Sequence, residues 1–191
     1  MMLDYLEVME KNEMNYQLGG FLLRRPEPED LKALYQQKND PQIAGLLGGF
    51  SVGYAMADLE EWLEYHRKTT NEALWVVVDT ENSNECVGHV GLYNIDFRIG
   101  MAEFAILLGN PRVWGKGLGK ACTNFALQYG FNELNLNRIY LSVLATNERA
   151  IMLYHSLRFA EEGRLRQAQY KNGHYVDVLL MSILREEYER P

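Results

Sequence analysis

Pro111 to Ala121, PRVWGKGLGKA, places three glycines and two lysines in eleven residues, directly after an apolar run. Bare backbone beside cations suits phosphate chemistry. Glycines let several main-chain N–H groups converge on an anion, and a helix starting there adds the positive end of its dipole. Two familiar phosphate-binding patterns fail by counting. A Walker A loop needs four residues between its first Gly and Gly-Lys, then Ser or Thr; here Gly109 precedes Gly115-Lys116 by five residues and Gly117 follows. The dinucleotide pattern G-x-G-x-x-G, started at Gly115 and Gly117, requires a third glycine where Lys120 stands. A different phosphate loop and an ordinary Gly-rich turn before a core helix remain open.

The elements around the loop are legible from periodicity. Leu118, Ala121, Cys122, Phe125, Ala126 and Tyr129 recur at helical spacing, so the glycines sit where a strand passes into a helix. Upstream, ALWVVVDT, CVGHVGLYNI and AEFAILLG alternate with the turn-rich ENSNE and DFRIG and read as an antiparallel meander. Before them, FLLRRPEPEDLKALYQQKND reads as a strand, a proline-set turn and a helix, and ADLEEWLEYHRKTT as a second amphipathic helix. Downstream, RIYLSVLA is apolar on both faces and reads as a central strand. Asn147 can cap the helix ERAIMLYHSL. Asn172-Gly173 between two strand-like runs signals a hairpin. Met2, Tyr5, Leu6 and Met9 share a helical face, so residues 1–14 read as an extension, a short helix or a disordered tail, before one α/β domain over 15–191.

Composition limits the function classes. A chain of 191 residues at 47% hydrophobic content is long and apolar enough to bury a core. A net charge of -7 without a basic tract leaves no electrostatic footprint for nucleic acid. Cys86 and Cys122 stand far apart with no His at ligand spacing, which argues against a disulfide framework or a metal site and for a reducing cytoplasm. The acidic start is unlike a signal peptide, and no eighteen-residue apolar run implies a membrane span. Lone histidines such as His89 and His155 read as structural or surface residues, and Cys122 as a small core hydrophobe.

Arg112-Val113-Trp114-Gly115-Lys116-Gly117 also reads as R/Q-x-x-G-x-G/A, and Asn147 to Phe159, NERAIMLYHSLRF, follows N-x-x-A-x-x-L-Y-x-x-x-G-F. Two linked motifs in this order resemble the Gcn5-related N-acetyltransferase (GNAT) superfamily, over roughly Tyr16 to Tyr188 and most specifically from Glu103 onward. GNPRVWGKGLGKA and the segment from Glu161 to Tyr188 are similar to the RimJ/RimL branch, which includes protein N-terminal, spermidine and nucleotide-aminosugar acetyltransferases. Arg158 stands where the family usually has Gly, which puts the turn there in question.

The resemblance implies a single GNAT fold of the α/β (α+β) class, a mixed, mostly antiparallel twisted sheet flanked by helices. It implies an acetyl-CoA-dependent N-acetyltransferase in which a primary amine attacks directly within a ternary complex, without a metal. Arg112, Trp114, Gly115, Lys116, Gly117, Leu118, Gly119 and Lys120 would hold the acetyl-CoA phosphates, Asn147 would contact the cofactor as well as cap its helix, and main-chain N–H groups near Leu107 and Leu108 would polarise the thioester. Trp114 would either stack on the cofactor or seal the core. Tyr154 matches the general acid for the departing sulfur, although it also falls on the packed face of its helix. Glu103, at the start of the strand feeding the loop, is the candidate base or else a solvated acid at a strand end. The acceptor is an amine, with a polyamine, a protein N-terminus or an aminosugar nucleotide as the classes the branch offers. Asp40, Glu60 and Glu64 are acids that would attract a polyamine. A non-catalytic acyl-CoA sensor, another acyl donor and an antibiotic amine are the rival readings. No nucleic-acid or membrane partner is expected, and the resemblance makes a homodimer through the C-terminal strands an expectation.

Overall fold

The structure, a computed structural model, describes residues 15–48 and 52–189. The extension expected over 1–14 lies outside the described residues. Eight strands form one sheet: β1 (Tyr16–Leu18), β2 (Phe21–Arg24), β3 (Ala73–Asp79), β4 (Glu85–Asp96), β5 (Met101–Leu108), β6 (Arg138–Leu144), β7 (Ala160–Lys171) and β8 (His174–Leu184). Their spatial order is β1-β2-β3-β4-β5-β6-β8-β7. β3, β4 and β5 form the expected meander, and Asn172 and Gly173, both at positive φ (51° and 83°), turn the β7–β8 hairpin. All neighbours run antiparallel except β5 and β6, so the sheet is mixed and mostly antiparallel.

Alternation along the strands builds two apolar layers. Trp75 and Val77 of β3 face a core with Leu92, Phe104, Ile139 and Leu141, while Val76 and Val78 turn to the other side. The first side is covered by α4 (Leu118–Gln128) and α5 (Glu148–Ser156), whose Cys122, Phe125, Ala126 and Tyr154 are buried there. The second is covered by α1 (Leu31–Lys38) and α3 (Met56–Lys68) through Leu31, Leu34, Leu59 and Leu63. Each such buried side chain stabilises the fold by about 1.5–3 kcal/mol.

Three short elements escape sequence periodicity: β1, α2 (Pro41–Leu46) and the closing helix α6 (Arg185–Glu189). α2 nevertheless carries a local start signal, since the Asp40 carboxylate accepts the Gln42 N–H at 2.7 Å and Pro41 follows it.

The feature that creates the site is an interrupted pairing. β5 and β6 pair only at Met101↔Arg138, Ala102↔Ile139 and Glu103↔Tyr140. Beyond Glu103, β5 stays with β4 as far as Leu108, and β6 stays with β8 as far as Leu144. The sheet therefore opens into a wedge between its two halves.

Candidate active site

A cleft of about 830 Å³ fills this wedge. Residues 103–108 of β5 form one wall, Ser142, Val143 and Leu144 of β6 the other, and the glycine turn, the start of α4 and the first turns of α5 close its helical side. Antiparallel pairing decides which main-chain groups face the gap. Gly109 N–H donates to the Val87 carbonyl at 2.9 Å, and the register runs unbroken from Gly88↔Leu108 to Leu92↔Phe104. Bonded and non-bonded positions alternate in such a ladder, so 105 and 107 bond β4 while 104, 106 and 108 turn their N–H and C=O groups toward the gap. The Leu108 carbonyl is free to accept the Trp114 indole N–H at 2.7 Å for this reason. By this parity the main chain of Leu108, like that of Ile106, faces the gap and that of Leu107 faces β4, while both leucines line the cleft.

At the helical end, Gly115 and Gly117 adopt φ of +76° and +82°, a region that side chains disfavour. Gly117 caps α4 without a side-chain hydrogen bond, and the first intrahelical bond is Ala121 N–H to the Gly117 carbonyl. The N–H groups of Leu118, Gly119 and Lys120 thus have no carbonyl of their own helix to bond, and all three residues line the cleft. These donors fit the phosphates of a nucleotide-linked thioester. Trp114, Lys120 and Asn147 also line the cleft. Asn147 does cap α5, its side-chain oxygen accepting the Ala150 N–H at 3.2 Å, and its amide reaches the Leu46 carbonyl at 3.4 Å. Arg112 and Lys116 are exposed and stand outside the cleft wall; the Arg112 main chain is instead held by the Asn110 side chain at 3.1 Å.

Arg149 was not anticipated. It lies in the first turn of α5, lines the cleft, and its guanidinium sits 5.4 Å from the Trp114 ring centroid. Nothing in the N-x-x-A spacing singles it out. A basic residue two positions after the cap was the available signal.

At the throat, Glu103 and Tyr154 approach from opposite faces of the sheet. Glu103 has Tyr93 and Tyr140 as its cross-strand neighbours, and its carboxylate accepts the Asn94 amide at 3.0 Å. Glu103 is the one acid among the described lining residues. Tyr154 is 7% exposed, packs against Phe104 and Phe159 with ring centroids 6.2 and 5.6 Å away, and is pushed by burial up to about 12. Its phenol stays protonated at neutral pH and can donate a proton. It therefore both packs and lines the site.

Other marked residues lie elsewhere. Asp40 is spent on capping α2, and Glu64 pairs with Lys68 at 2.7 Å; Glu60 and Glu64 line a smaller hollow of about 330 Å³ between α1 and α3. His89 is buried against Trp62, and burial, then Lys38 and His66, lower it to about 3. His155 pairs with Glu161 at 3.1 Å on the surface. Cys86 and Cys122 are buried free thiols that desolvation pushes up to about 12, which makes them poor nucleophiles. Among the described residues no cluster of His, Cys, Asp or Glu is placed to hold a metal ion, and no helix is long and apolar enough to cross a membrane.

Comparison with known proteins agrees with this geometry. The profile of the acetyltransferase (GNAT) domain matches residues 21–160. Spermidine N(1)-acetyltransferase of Vibrio cholerae is 36% identical over 176 residues, 92% of this chain and 97% of that protein, and the Escherichia coli K12 enzyme of the same name is 34% identical over 167 residues, 87% of each chain. The crystal structure of spermidine N-acetyltransferase from Vibrio cholerae in complex with CoA and spermine superposes with a TM-score of 0.79 at 33% identity, covering 90% of this chain and 99% of that one. A dodecameric structure of the Vibrio cholerae enzyme superposes with a TM-score of 0.75 at 34% identity, covering 90% and 97%.

Proposed function

We propose, from the premise that this chain belongs to the GNAT acetyltransferase family, that it transfers the acetyl group of acetyl-CoA to a primary amine of a polyamine. The enzyme is an acetyl-CoA-dependent N-acetyltransferase. The observation that carries the proposal is the wedge between β5 and β6, with free helix N–H groups at one end and Glu103 and Tyr154 at its throat.

In this reading the α4 N-terminus holds the phosphates, and the Ile106 and Leu108 N–H groups bond the pantetheine arm and polarise the thioester carbonyl. Glu103, the acid of the cleft, attracts the cationic acceptor; the reacting ammonium gives one proton to solvent to become a neutral amine, and its nitrogen gives a second to Glu103, directly or through water, as it attacks. The nitrogen forms a bond to the acetyl carbon, the carbon–sulfur bond breaks, and Tyr154 gives its proton to the sulfur. Glu103 returns a proton to the phenolate through solvent, so the protein ends as it began. Relatives named for spermidine, and one solved with spermine, support the acceptor class. The RimJ/RimL-like assignment belongs to the same proposal. So does a cytoplasmic location, supported by the two unpaired thiols. Self-association through the edge strand β7, with Leu165 and Tyr170 exposed on it, completes the reading.

The test is CoA release, followed with a thiol reagent, from acetyl-CoA and a panel of spermidine, spermine, N-terminal peptides, aminosugar nucleotides and aminoglycosides, with Glu103→Gln run alongside. Release with the polyamines, weakened in Glu103→Gln, is expected. Release only with another acceptor class would overturn the polyamine assignment.

A further inference from the structure

We propose that Arg149 is the side chain that clamps the CoA pyrophosphate against the Gly115–Gly117 turn, so that preference for CoA thioesters over pantetheine thioesters resides largely in this residue. The inference rests on the acetyl-CoA reading of the cleft and assigns one of its walls a role.

Three observations converge on Arg149. First, it sits where positive potential is already concentrated. It belongs to the first turn of α5, whose dipole repels a cation, and it faces the start of α4 with its three free N–H groups and Lys120. Second, no ion pair or hydrogen bond to the guanidinium is present among the described residues, and the acid of the cleft, Glu103, lies at the throat instead. Its neighbour Glu148 is exposed and does not line the cleft. Two helix N-termini and two cations gather at the end of the cleft away from Glu103, and this concentration of positive potential favours a bound anion there.

Third, the guanidinium is aimed. A cation–π contact 5.4 Å from the Trp114 ring centroid holds the guanidinium beside the turn, and Trp114 is itself tied to the Leu108 carbonyl at 2.7 Å. A side chain at Gly115 would come within 3.9 Å of the Arg149 Nη2 atom, so the fork stands over the turn where the backbone is bare. A planar guanidinium at that place matches two oxygens of a diphosphate in a bidentate pair, which the point charge of a lysine cannot do.

The experiment measures binding of CoA, dephospho-CoA and pantetheine by calorimetry to the wild type, Arg149→Ala and Arg149→Lys, with thermal melts to verify folding. Wild-type affinity for CoA checks the underlying reading: if the wild type binds none of the three, the cofactor assignment itself fails. Given wild-type binding, Arg149→Ala is expected to weaken CoA and dephospho-CoA alike, by about tenfold or more for a lost charge-assisted hydrogen bond, with pantetheine unchanged. Arg149→Lys recovers part of the loss. Equal weakening of pantetheine would reduce Arg149 to a structural residue. Weakening of CoA but not dephospho-CoA would move the contact to the ribose phosphate, and no change at all would remove Arg149 from the site; each of these overturns the proposal.

Discussion

Trp114 donates its indole N–H to the Leu108 carbonyl across 2.7 Å, and this one bond ties the glycine turn to the open edge of β5. The phosphate-binding end and the thioester-binding edge are held in register by it. Trp114→Phe keeps an aromatic ring and deletes the donor. A lost neutral hydrogen bond amounts to about 1 kcal/mol, so the KM for acetyl-CoA should rise about fivefold while kcat changes little. Steady-state kinetics with acetyl-CoA varied check this; a fall in kcat at unchanged KM would contradict the anchoring role.

Tyr154→Phe separates packing from chemistry. Phe104 and Phe159 surround the ring, and its removal would leave a cavity, but deletion of the hydroxyl alone leaves those contacts in place. The melting temperature should hold within about 2 °C, corresponding to a stability change under about 0.5 kcal/mol. Turnover should fall by about a hundredfold, the usual scale for a lost general acid, with CoA affinity intact by calorimetry. Unchanged turnover would leave Tyr154 a packing residue.

Arg158 holds φ at +69°, so the chain keeps the left-handed turn for which a glycine is the usual residue. The side chain is exposed and its guanidinium reaches the Glu187 carbonyl at 3.4 Å. Left-handed backbone costs a side-chain-bearing residue about 1–2 kcal/mol, partly offset by the greater freedom of an unfolded glycine. Arg158→Gly should therefore stabilise the protein, by about 0.5–1 kcal/mol in urea unfolding. A destabilised variant would mean that the side-chain contacts outweigh the strain.

Local patterns told most of the story and long-range ones did not. Gly115, Gly117, Asn147 and the helical face carrying Tyr154 were readable because each depends on neighbours within a few residues. The wedge was not readable, because it depends on where β5 and β6 stop pairing, and both remain ordinary apolar strands past that point. Ladder parity, visible only once Gly109 is seen bonded to Val87, turns the main chain of Ile106 and Leu108 to the gap and that of Leu107 to β4. Of the motif's cations Lys120 lines the cleft and Arg112 and Lys116 are not among its lining residues, whereas Arg149 lines it from α5, well downstream of the turn.

His89 gives the fold a built-in acid sensitivity. It is buried with Nε2 unpartnered, beside Trp62, and its Nδ1 lies 3.4 Å from the Tyr93 hydroxyl. Burial first, then the Lys38 and His66 charges, lower its pKa to about 3. An unfolded histidine titrates near ~6.5. Because the folded value is the depressed one, the stabilisation is complete above the unfolded pKa and drains away as pH falls from ~6.5 toward ~3, where the unfolded chain binds a proton that the native chain refuses. By pH 5 the loss amounts to about 2 kcal/mol, at 1.36 kcal/mol per unit. His89→Leu has similar bulk and no proton to gain. Thermal melts at pH 7 and pH 5 should show the wild type losing more melting temperature than the variant over that interval. Parallel losses would place the acid sensitivity elsewhere.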